Sequence, residues 1–263
     1  MLYYLTMGCI FCGGTPTTKE HVFPRWLNRY LSSLHQQLEQ ARYGEGEFDI
    51  TRPSVGLDFT VRKVCDSCNN GWMSSLESKT ISILHPLISG LKLQLLSLKS
   101  QRQIALWAVK TAMVLDHTQV APVLPSAQLA RLRSHRAIPR NTRVWLGACD
   151  ELYPLVTSYT IRIDLENLQD PGVLQSGGFY SPMKIGHLCL YVYFTPANVT
   201  IQYPRRYGAT VARIWPRRGS SLPWPPPVRP SDGGEFEDFA KIFWQELALF
   251  TPRRAQEFGL RES

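Results

Sequence analysis

The sequence predicts an α+β fold. Three features lead there: two C-x2-C pairs before residue 70, helical periodicity concentrated between residues 71 and 138, and short runs rich in Val, Ile, Tyr and Phe after Arg143. Of the 263 residues 44% are hydrophobic and 19% charged, enough for one large domain or two modest ones, and disordered and collagen-like classes are excluded.

The elements follow in order. After Cys9 and Cys12 the stretch GGTPTT is rich in turn formers, and Thr18 to Val22 forms a short strand ended by Pro24. Trp26, Leu27, Tyr30, Leu31, Leu34 and Leu38 recur at spacings of 3 and 4, which predicts a helix over 25–41, and YGEGEFDITRPSVG after it is a loop. LDFTVRKV alternates as a strand entering Cys65 and Cys68, after which NNGWMSSLESKTISIL turns into a helix. Residues 101–117 are apolar on most faces and predict a buried helix, followed by a shorter one near 126–136.

From Arg143 onward VWLGAC, SYTIRIDL, HLCLYVYFTP and ATVARIWP predict antiparallel strands. SSLPWPPPVRPSDGG is a linker, and Phe236, Phe239, Ile242, Phe243 and Leu247 mark one face of a terminal helix. The chain therefore divides into a cysteine-anchored module (1–82), a helical basic segment (83–141) and an antiparallel β region (142–216) that together supply their own core, and a Pro-rich linker with a C-terminal helix (217–263).

The net charge of +8 is not spread evenly. Residues 1–82 carry 8 basic and 8 acidic side chains, 146–216 carry 5 and 5, and 217–263 carry 7 and 7. The excess lies in 83–145, where Lys92, Lys99, Arg102, Lys110, Arg131, Arg133, Arg136, Arg140 and Arg143 meet one acid, Asp116. Lys110, inside an apolar helix, reads as a snorkelling side chain, and Arg131, Arg133, Arg136 and Arg140 as a patch that contacts a nucleic-acid backbone.

No stretch reaches the roughly 18 apolar residues of a membrane span. The opening MLYYLTMGCIFC lacks a basic n-region and an A-x-A-like cleavage site, so the expected compartment is the cytoplasm. Two C-x2-C pairs in a reducing compartment point to zinc, because a two-residue gap turns both thiolates of a knuckle onto one ion. Cys9, Cys12, Cys65 and Cys68 are the expected ligands of a structural Zn²⁺, and Trp72 and Met73 the residues packed beneath it.

Glu20-His21-Val22-Phe23-Pro24 lies between the knuckles, and Asn69-Asn70-Gly71-Trp72 directly follows the second. Taken together, C-x2-C, Glu-His-Val-x-Pro and C-x2-C-Asn resemble the HNH, or ββα-metal, endonucleases of the zinc-bearing type, over about residues 9–82. The resemblance implies a treble-clef-like module, His21 as the general base, and Glu20 and Asn69 as ligands of a catalytic Mg²⁺, Mn²⁺ or Ni²⁺. It also implies a nucleic-acid substrate, DNA before RNA.

Three positions depart from the family pattern. Glu20 stands where Asp is commoner, the middle Asn has Thr60 or Asp58 nearest to it, and the third histidine is absent, with Asn70 as substitute. Arg62 and Lys63 flank the site as further phosphate-gripping candidates. Adjacent strand residues point to opposite faces, so Glu20 and His21 reach one cation only through a bend or a division of labour. The alternative reading is a non-catalytic zinc-binding module that binds nucleic acid.

Overall fold

Short strands beside cysteine turns cannot bury a face alone, and each finds a partner. The computed structural model describes residues 8–15, 18–32, 38–44, 47–54, 60–118, 122, 124, 126–150, 156–158, 160–163, 178–195, 200–202, 211–216, 219–226 and 248–250. Among them are four α-helices, and every strand pair is antiparallel, as the α+β expectation requires.

β1 (Thr18–His21) leads through Pro24 into α1 (Arg25–Ser32). β2 (Leu38–Gly44) and β3 (Glu47–Ser54) form a hairpin, and β4 (Thr60–Val64) returns to pair with β1. The helix expected over 25–41 is thus observed only to Ser32, with strand from Leu38, and the expected loop contains β3. Beyond Ser32 the helical spacing rested on Leu34 and Leu38 alone, and cross-strand pairing outweighs so thin a periodicity.

A wide π-type turn over Ser67–Met73 carries the chain from the second knuckle into α2 (Ser74–Ser89). β5 (Gln94–Leu96) precedes α3 (Leu98–Asp116), whose cap Ser97 accepts the Ser100 amide at 3.1 Å. Every α3 residue from Ile104 to Asp116 is buried, as its all-round apolar pattern predicts. α4 (Ser126–His135) ends where Arg136 takes a φ of +51° and its amide donates to the Leu132 carbonyl at 3.1 Å.

The β region contains β6 (Thr142–Ala148), β7 (Val156–Ser158), β8 (Ile161–Ile163), β9 (Gly178–Ile185), β10 (Leu188–Phe194), β11 (Thr200–Gln202) and β12 (Val211–Trp215), and β13 (Leu222–Trp224) and β14 (Ala248–Phe250) follow it. One sheet runs β12-β6-β10-β9-β7 with β8 also on β9, while β11 pairs β14. β9 escapes sequence reading because Pro182 breaks a run that is buried at every position and so shows no alternation. Gly186, at φ +56°, turns β9 into β10, and a Cβ there would lie 2.4 Å from the Ile88 carbonyl oxygen. The hairpin is therefore seated on the end of α2, where the His187 amide donates to that carbonyl at 3.1 Å.

Two parts of the chain expected to stand apart are in contact with the rest. β13 pairs with β5, and Trp224 is fully buried with its indole N–H donating to the Gly90 carbonyl at 3.2 Å, so the expected linker is anchored there. The β region shares one core with the module: α3 packs on α2 and on β6, β10 and β12, and a continuous set of buried side chains runs from Phe11 and Leu27 through Trp107 to Val192 and Trp224. Large apolar side chains meet there instead of water, so no second core is needed. The expected terminal helix, residues 236–247, lies outside the described residues.

Candidate metal centre and active-site cleft

The first knuckle closes through Cys12 and Gly13 amides donating to the Cys9 carbonyl at 3.3 and 2.7 Å, with Gly13 at φ +75°, where glycine alone is unstrained. The second mirrors it, Cys68 and Asn69 amides donating to the Cys65 carbonyl at 3.1 and 3.0 Å. An amide bond from Ile10 to the Lys63 carbonyl at 3.0 Å ties the first knuckle to β4, and Phe11 meets Trp72 edge-on at 5.0 Å. Trp72 and Met73 are buried beneath the knuckles as expected.

The four sulfurs lie within 4.8 Å of one another. A tetrahedral zinc thiolate centre places sulfurs roughly 3.8 Å apart, so the cluster is shaped to close on one ion. Burial raises the Cys65 thiol, but hydrogen bonds from Ser67, the Cys68 backbone and Cys12 outweigh it and bring it down to about 6. Cys68 is pushed up to about 12 by burial and by Cys9. Four neighbouring thiolates are stable together only around a cation, which is the fit this donor set offers zinc.

Beside this centre is a cleft of about 540 Å³, lined by Glu20, His21, Asn69 and Asn70, by Arg25 and Arg29 of α1, and by Glu77 of α2, but by none of the four cysteines. The register of β1 on β4 shifts between Thr18 and Glu20. Glu20 and His21 nevertheless pair with Val61 and Thr60 in regular register, the shift falling before them, and both line the cleft. Asn69 is held at the start of the helix by its amide nitrogen, which donates to Thr18 Oγ1 at 3.2 Å, and Thr18 in turn donates to the Val64 carbonyl at 2.9 Å. Its side-chain oxygen could hold a cation.

Glu20 is 4% exposed, and burial pushes its carboxyl up to about 7, Lys110 pulling it down and Glu77 pushing it up. Lys110 does not snorkel. It is fully buried, donates to Glu77 Oε1 at 2.8 Å and lies 4.0 Å from Glu20 Oε1, because α3 aims it at carboxylates on α2 and β1 instead of at solvent.

Arg62, exposed, and Lys63, half-buried, stay outside the cleft wall, as does Thr60, which pairs with His21; Asp58 lies outside the described residues. In the basic patch Arg131, Arg133 and Arg140 are exposed. Arg136 instead lies 4.9 Å over the Trp72 ring, and burial together with Arg133 lowers its pKa, so the patch ends against the knuckle as packing.

Sequence reasoning missed Glu77 and Arg29, and named Arg25 only as a fallback contact for the substrate. The signals were present: Asn70, Ser74, Glu77 and Ile81 recur at helical spacing, and Arg25 and Arg29 are one turn apart directly after His21. No protein-family model matches the chain, and no curated protein and no solved structure matches it either.

Proposed function

We propose that this chain is a metal-dependent endonuclease of the HNH type that hydrolyses phosphodiester bonds in nucleic acid, with DNA as its substrate. The observation that supports the reading best is the convergence of Glu20, His21 and Asn69 in one cleft beside a separate four-cysteine cluster. Four sulfurs saturate a structural zinc ion and leave no position for water, so hydrolytic chemistry belongs to the cleft.

The Glu20 carboxylate and the Asn69 amide oxygen are donors suited to Mg²⁺ or Mn²⁺ and acceptable to Ni²⁺. A bound cation supplies charge neutralisation at the non-bridging and leaving oxygens. His21 takes the proton from the attacking water, imidazole being the side chain suited to proton transfer near neutral pH. Arg25 and Arg29, both exposed on the cleft wall, hold the flanking phosphates.

Purified protein incubated with supercoiled plasmid and Mg²⁺, Mn²⁺ or Ni²⁺ should nick or linearise it. His21→Ala should slow cleavage by roughly 10²- to 10⁴-fold with unchanged DNA affinity, since the base acts only in the chemical step. Wild-type-like cleavage by that variant would remove the assignment from this cleft.

A second reading, the non-catalytic zinc-binding nucleic-acid module, draws on one observation: the Glu20 carboxylate already has a cationic neighbour in Lys110. Tight DNA binding with intact plasmid under all three metals would decide for it.

A further inference from the structure

The cleft carboxylates depend on a residue from outside the cysteine module. α3 lies on α2 through a polar seam inside an otherwise apolar contact: Gln103 donates to Thr80 Oγ1 at 3.0 Å, and two turns later Lys110 donates to Glu77 at 2.8 Å. Thr80 and Lys110 are fully buried.

A fully buried lysine costs desolvation that an apolar residue would not, and its neighbours Ala108, Val109, Ala112 and Met113 show what this helix carries where only packing matters. Satisfying the ammonium needs one carboxylate. Two converge on it, and both line the cleft, so the pair offers more carboxylate oxygens than Lys110 alone can satisfy. Glu77, partly exposed on α2, would otherwise sample several rotamers, and a charge-assisted bond at 2.8 Å selects one.

We propose that Lys110 is a positioning residue for this cleft: carried in by α3, its ammonium holds the Glu77 carboxylate beside Glu20 in the orientation that completes a divalent-cation site. The inference rests on the reading of the cleft as a cation site. It makes residues 1–82 alone an incomplete site and gives the helical segment a part in the chemistry besides its charge.

The test is a double-mutant cycle on the full chain, read as Mn²⁺ binding by electron paramagnetic resonance and as plasmid cleavage, with melting curves to verify folding. Lys110→Met and Glu77→Gln should each weaken Mn²⁺ binding by roughly 10-fold or more and lower kcat with little change in KM for DNA, the size expected for loss of an orienting partner. The double variant should be no worse than either single one, because Lys110 acts through Glu77.

Unchanged or tighter Mn²⁺ binding by Lys110→Met would overturn the proposal, since an ammonium that only stabilised the fold or competed with the cation gives that result. If Lys110→Met does not fold, Glu77→Gln is compared with the double variant, in which neither charge is left to demand the other. Equal Mn²⁺ affinity supports the proposal, and a further 10-fold loss overturns it. Variants that follow this pattern in a protein that leaves plasmid intact would end the nuclease reading and keep this one; additive effects in an active nuclease would end only this one.

Discussion

His117 ends α3 with Nε2 buried and without a hydrogen-bond partner among the described residues. Burial, reinforced by Lys63, brings its pKa from 6.5 down to about 4. The unfolded chain takes up this proton below about 6.5 and the folded chain only near 4, so the unfolded state binds more protons across that window and stability falls as the pH drops through it. His117→Leu should remove on the order of 2 kcal/mol of that loss, seen as a flatter plot of melting temperature between pH 7 and 4. Parallel plots for the two proteins would count against it. The sequence had placed Lys110 among the snorkelling side chains. That misreading has one cause: burial of a side chain belongs to the elements packed around it, and its own neighbours in sequence do not contain it.

At the scale of elements, the knuckles and the strands between them stand or fall together. β1 and β4 form only a two-stranded sheet, too small to be stable alone, and the cysteine turns flank both strands. Metal analysis should find about one zinc per chain, tightly held. Cys65→Ser should strip amide-exchange protection from β1, β4 and the π-type turn, and a fully protected module in a zinc-free chain would contradict the assignment. The knuckles were legible because a C-x2-C spacing closes within one turn. β2 and β3 were not, since their pairing joins residues whose local pattern also fits a helix and a loop.

Across the whole molecule, charge and core follow different divisions of the chain. The +8 excess sits in residues 83–145, but Lys110 is buried and Arg136 lies on Trp72, which leaves Arg131 and Arg133 as the exposed cations of α4. Replacing both by Ala should make the log-log salt dependence of DNA binding shallower by roughly 2, and an unchanged slope would assign the phosphate contacts to the Arg25 and Arg29 wall instead. The core is shared, so a change far along the chain should be felt throughout it: Trp224→Ala should destabilise the protein by about 3–5 kcal/mol, measured by denaturant melts, through the cavity left beneath Gly90. A linker tryptophan would have cost almost nothing.

By itself the sequence determined the four-cysteine cluster, the buried α3 and most strands of the β region, because each is written in residues a few positions apart or in a fixed spacing, and through its resemblance to the HNH type it singled out Glu20, His21 and Asn69. Only the tertiary structure decided that Glu20 and His21 line one cleft, that Glu77 joins them, and that Lys110 arrives from α3 to donate to it. A local pattern defines which face of an element is apolar or charged relative to its own axis. Which faces meet depends on how α3 packs against α2 and the sheet, and that is a property of the assembled core.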